Sequence, residues 1–168
     1  MNIYFFVFAC SLSGLLFGYD AGIISGALPY IKKEFLITDA RCGLIMAFMP
    51  LGALLAAIIV GKLSDLLGRK IILVTSALLF IFGSFQSALA DSVFALLLGR
   101  FILGLAIGAS SALAPLYICE ISQEKQRGLL VTLYLIAINV GLLLAYMMNA
   151  FFMQAVMWRA LMIVGVLP

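Results

Sequence analysis

Two ionisable side chains stand in long apolar stretches of this sequence. From Met1 to Ile31 the one formally charged side chain is Asp20, within "GLLFGYDAGIIS", and from Ser92 to Cys119 it is Arg100. A carboxylate at mid-membrane depth costs about 3 kcal/mol or more unless it is protonated, paired or hydrated. Arg100 follows Asp91 by nine residues, about 13 Å along a helix, and Asp20 precedes Lys32 by twelve, about 18 Å. If both helices are measured from the same membrane face, the gap of about 5 Å is within reach of an arginine side chain. A neighbouring guanidinium favours the ionised carboxylate, and desolvation favours the protonated acid. A site where the two compete can change protonation as its surroundings open or close, which is what a proton-coupled carrier requires. An inert structural ion pair would leave the same sequence.

Other chemistries have little to build on. Histidine is absent, which removes the commonest catalytic base and metal ligand. Cys10, Cys42 and Cys119 have neither CxxC nor Cys/His spacing, so we expect no disulfide framework and no metal site. No phosphate-binding loop of the Walker type occurs, and the serines of "GASSA" lie in an apolar run without a base. We therefore expect no catalytic residue, no cofactor and no nucleic-acid partner.

The elements that must carry Asp20 and Arg100 follow from composition. Hydrophobic residues make up 66% of the chain and charged residues 10%, more apolar surface than a water-soluble domain of this size can hide. Charge-poor stretches of about 20 residues or more suit helices crossing a hydrocarbon core. They place spans at approximately 3–31, 42–60, 71–90, 92–117 and 129–152, with a sixth over 158–168 that meets the end of the chain. The expected class is an all-α membrane protein, five full spans and a truncated sixth, in contact with the lipid bilayer. A signal peptide fits the first span poorly, because no Lys or Arg precedes it and it is too long. A short cytoplasmic lead is expected before it. Pro29, Pro50 and Pro115 read as kinks or span ends.

Within the first span Gly14, Gly18, Gly22 and Gly26 recur every fourth residue, a ridge that lets another backbone approach closely. Asp20 lies about 200° round the helix from Gly18, with Ser13, Phe17 and Ile24 on its side. Glycines therefore face a packed neighbour, and Phe17 and Asp20 face elsewhere, toward a cavity.

The segment "GKLSDLLGRK", Gly61 to Lys70, joins two spans in about ten residues and has the form G-x-x-x-D-x-x-G-R-K. It resembles the signature loop of the major facilitator superfamily. "GRFILGLAIGASSALAPLYICEISQEKQRG", Gly99 to Gly128, and "LFGYDAGIISGALP" resemble the sugar porter branch of that superfamily. The resemblance spans nearly the whole chain but only the N-terminal six-helix bundle of a family member. It implies that Asp20 takes up the proton, that Arg100 is coupled to it, and that Phe17 lines the sugar cavity. It also implies a gating role for the signature loop (Gly61, Asp65, Gly68, Arg69 and Lys70) together with Glu120, Arg127 and Gly128. Of these, Asp65, Arg69, Glu120 and Arg127 would form a charge network that holds two halves together at the cytoplasmic face. By spacing alone these charges are ordinary ion pairs of a solvated loop, worth at most about 1 kcal/mol each.

Two departures bear on substrate. Leu135 stands where the family pattern has a glutamine that hydrogen-bonds a sugar hydroxyl, and a leucine cannot do so. Asn139, one turn on and about 40° round the helix, could offer an amide to the same space or serve as an interhelical structural amide. "WRALM", from Trp158, lacks the second tryptophan the family more often shows. The resemblance implies sugar and protons as substrates, and a missing C-terminal half or a homodimer as partner. The runner-up expectation is a non-transporting fragment, or a carrier half with altered substrate. Charge asymmetry is slight: Lys62, Arg69, Lys70, Lys125 and Arg127 on one side, Lys32, Lys33, Arg41 and Arg159 on the other. The resemblance puts the first group in the cytoplasm, with the N-terminus, in a multi-pass protein of the bacterial inner membrane.

Overall fold

The computed structural model describes residues 3–151 and 158–164. Six helices follow one another: α1 (Ile3–Glu34), α2 (Asp39–Leu67), α3 (Arg69–Ala88), α4 (Val93–Ile121), α5 (Arg127–Phe151) and α6 (Trp158–Val164). The first five are each long and apolar enough to cross a membrane, and no strand occurs among the described residues. Helix is the form that satisfies every backbone N–H and C=O within the segment, which lipid demands. The expected continuation of the sixth span through Pro168, and the end of the fifth at Phe152, lie outside the described residues.

The helices pair in a repeated pattern. α1 lies along α5 and α4 lies along α2, while α1 and α4 meet at the centre and α3 packs on α4. α6 rests on α3 and α1. Exchanging α1–α3 with α4–α6 preserves these pairings, the signature of a three-plus-three inverted repeat. Both long pairs are made by backbone approach. A Cβ on Gly18 would overlap the carbonyl of Ile138 in α5, and one on Gly104 would overlap the carbonyl of Met49 in α2. The glycine ridge of α1 does face a packed helix. Side chains at Leu54, Ile58, Leu78, Phe82, Leu143 and Leu144 project outward, as lipid or a neighbouring bundle requires.

Helix boundaries differ from the hydropathy reading at the signature segment. α2 runs on through Lys62 and Asp65 to Leu67, so the ten-residue loop contracts to the single residue Gly68. The apolar run stops at Val60, but residues 62–67 are mostly good helix formers and the helix continues into the aqueous boundary. Gly68 has φ +89°, a left-handed value that a residue with a Cβ adopts only under strain. Gly61 and Gly128 have open space where a Cβ would go, so neither marks a close approach within this bundle. Pro29, Pro50 and Pro115 all lie inside helices rather than at their ends.

Candidate functional site

Asp20 and Arg100 meet between α1 and α4. The Arg100 Nη1 donates to Asp20 Oδ2 at 2.7 Å, and the side chains are 1% and 9% exposed for Arg100 and Asp20 respectively. Both helices are positioned by glycine packing on their outer sides, Gly18 of α1 on α5 and Gly104 of α4 on α2. That packing turns the polar side of each toward the other. Arg100 Nη2 faces the sulfur of Met162 in α6 at 3.9 Å, and Nε is buried without a partner. The guanidinium therefore makes one strong bond where a fork-to-fork pair would make two. A buried pair held at one point neutralises both charges yet leaves few bonds to break when either partner changes state.

Phe17 is half-buried and packs with Leu16 and Met49 against Phe80, Leu103, Ala106 and Ile107, where α1, α2, α3 and α4 converge. Asn139 is exposed on α5 and donates to the carbonyl of Leu135 in its own helix at 2.8 Å; Leu135 is 51% exposed on the same stretch. The interhelical amide of this fold is instead Asn149, which donates to the Gly22 carbonyl of α1 at 3.0 Å. Its sequence signal was an asparagine late in an apolar helix, opposite a glycine-rich one. A crevice of about 480 Å³ opens between α1, α3 and α4, lined by Cys10, Ser13, Leu16, Lys70, Phe80 and Tyr117 among others. Asp20, Arg100, Phe17 and Asn139 are not among its lining residues.

At the face bearing the α2–α3 turn, Arg69 Nη2 bonds Glu120 Oε1 at 2.8 Å, tying the start of α3 to the end of α4. Asp65 is exposed and forms no ion pair among the described residues, and Arg127 Nε donates only to the Ser122 carbonyl, at 3.4 Å. Lys70 lies 5.9 Å from the Phe6 ring centre. Of the four expected network charges, two are joined within this bundle. Among the described residues no group of His, Cys, Asp or Glu could hold a metal ion.

The sequence description of the sugar (and other) transporter family matches residues 6–168. The chain belongs to this family. It is 43% identical over 165 residues to the galactose-proton symporter of Escherichia coli strain K12, covering 98% of this chain and 36% of that protein. It is 40% identical over 168 residues to the arabinose-proton symporter of the same strain, covering 100% of this chain and 35% of the relative. Among solved structures, the partially occluded inward-open xylose transporter XylE from E. coli superposes with a TM-score of 0.91 at 26% identity. That match covers 100% of this chain and 47% of the XylE chain. The chain thus spans about a third of the length of the curated relatives it matches and corresponds to the N-terminal half of the transporter fold. A multi-pass membrane bundle of the major facilitator type is the architecture of this family member.

Proposed function

We propose that this chain is the proton-coupling half of a sugar–proton symporter. Asp20 binds and releases the proton, and Arg100 compensates the carboxylate when the proton has left. The observation that carries this reading is the buried 2.7 Å contact between them, at mid-span in a chain whose relatives are named as proton symporters of galactose and arabinose. Burial without compensation would keep the acid protonated, and a fully clamped salt bridge would keep it ionised. Here one guanidinium bond is what must rearrange when the carboxyl group gains or loses its proton.

In this reading the outward Leu and Ile face of α2 and α5 meets a second six-helix bundle, and sugar binds between the two, near Phe17 and Asn139. The Arg69–Glu120 pair, joined by Asp65 and Arg127 of the same face, latches that interface when the carrier opens to the other side. The α2–α3 turn and the N-terminus lie in the cytoplasm, in a bacterial inner membrane, and the chain performs transport without catalysis. The test is uptake by the complete carrier in energised vesicles. Asp20→Asn abolishes proton-driven accumulation while sugar exchange across the membrane persists; accumulation at the unaltered level would overturn the coupling role.

A second reading, a carrier of the same fold with a different cargo, is favoured by one residue. Leu135 exposes an apolar side chain where the family pattern places a hydroxyl-binding glutamine.

A further inference from the structure

The ion pair is covered by a helix that is itself tied down at its first turn. Glu34, the last residue of α1, uses both carboxylate oxygens on α6. Its Oε2 accepts from the indole Nε1 of Trp158 at 2.6 Å, and its Oε1 accepts from Arg159 Nη2 at 2.7 Å. Arg159 also donates to the Ala90 carbonyl at 3.2 Å, lies 3.7 Å from Asp91, and rests 5.2 Å from the centre of the Trp158 ring. The end of α1, the α3–α4 turn and the start of α6 are thereby joined. One turn along α6, the Leu161 carbonyl accepts from the Tyr19 hydroxyl at 3.1 Å, and Met162 places its sulfur against Arg100. Trp158, Leu161 and Met162 are all buried.

The same device stands on the opposite face. Arg69 opens α3 and holds Glu120 near the end of α4, as Arg159 near the start of α6 holds Glu34 at the end of α1. The inverted repeat relates α3 to α6 and α4 to α1, so the two clasps are counterparts. They differ in what lies beneath: the α6 clasp is followed, one turn on, by a residue touching the buried pair.

We infer that Glu34, Trp158 and Arg159 are positioning residues that seat α6 so that Met162 seals the Asp20–Arg100 pair. The inference rests on the proton-coupling reading for its consequence in transport, and on the contacts alone for the seal. The first turn of a helix has backbone N–H groups without partners inside the helix, so the seat of this end of α6 rests on its side-chain ties. Asp20 has Tyr19 beside it on α1 and Arg100 facing it from α4, while Glu34 pairs with Arg159, which also lies near Asp91. Loosening the clasp lifts Met162 and admits outside molecules to the carboxyl group.

The test is the rate at which dicyclohexylcarbodiimide, an apolar reagent for protonated carboxyl groups, modifies Asp20 in the full chain reconstituted in liposomes, read by peptide mass spectrometry. Glu34→Ala, Arg159→Ala and Met162→Ala each raise that rate roughly ten-fold by local opening. Glu34→Ala combined with Met162→Ala gives no more than the larger single effect, because both act through one contact. Met162→Leu, which keeps the bulk, stays at the unaltered rate. Unchanged modification in Glu34→Ala and Arg159→Ala, multiplying effects in the double variant, or a rise in Met162→Leu equal to that in Met162→Ala overturns the inference. Proton-driven uptake by Asp20→Asn separates the two claims. Unaffected uptake there removes the coupling role and leaves the seal, whereas unchanged labelling removes the seal and leaves the coupling.

Discussion

Arg100 holds Asp20 by a single nitrogen: Nη1 lies 2.7 Å from Oδ2, while Nη2 faces a thioether and Nε faces no acceptor. A guanidinium has five N–H donors, and a buried one ordinarily spends them on oxygens. This one is partly idle because α4 presents it to an interface built from apolar and sulfur-bearing side chains. The bond can therefore be given up at the cost of one strong contact.

Removing only the cation leaves an uncompensated buried acid. Arg100→Leu loses about 3–5 kcal/mol of stability, and combining it with Asp20→Asn recovers a substantial part. Unfolding in detergent, followed by the fluorescence of Trp158, the single tryptophan, measures both. Equal stability of the single and double variants would show that the acid carries no charge to strand.

Close approach of α1 to α5 depends on the absence of a side chain at Gly18, whose Cβ would overlap the Ile138 carbonyl. Gly18→Val costs at least about 1–3 kcal/mol through overpacking. Gly61→Ala, where a Cβ meets nothing within 4 Å, gains about 0.5–1 kcal/mol from helix propensity. The same unfolding assay compares them, and matched losses at both positions would contradict the packing assigned to α1.

The one-residue junction between α2 and α3 is tested separately. Gly68 sits at φ +89° with open space around it, so Gly68→Ala costs about 1–3 kcal/mol from backbone strain alone. Because no neighbour is hit, larger residues at this position cost little beyond what alanine does. A stepwise loss with side-chain volume in thermal melts would point to crowding instead.

The sugar contact proposed for α5 has its own test. In the complete carrier, Leu135→Gln places an amide on the exposed stretch of α5 and tightens hexose binding by about 1 kcal/mol, the net worth of a hydrogen bond. Equilibrium binding of a labelled hexose measures the change. An unchanged affinity would favour a cargo other than a hexose.

The sequence conveyed much of this architecture because hydropathy and helical period are local properties. Long uncharged runs imposed lipid as solvent and helix as its only open-ended solution, and the four-residue glycine repeat marked the packed side of α1. Counting residues from Asp91 and Lys32 put Arg100 and Asp20 at similar depths, and they touch. Helix ends were less legible, since hydropathy senses where lipid stops and not where hydrogen bonding stops; α2 passes Val60 and ends at Leu67.

What the chain by itself determined, then, was the solvent, the helices and the depth of their charged residues. Partners were decided only by the tertiary fold. α5 receives the glycines of α1, Asn149 rather than Asn139 bridges two helices, and Asp65 stands apart while Arg69 and Glu120 join. Met162 reaches the buried guanidinium from a helix that Glu34 anchors. Such contacts depend on crossing angles and on which faces close upon each other in three dimensions. No count along one helix contains them, because each side chain's neighbour is chosen by a different segment of the chain.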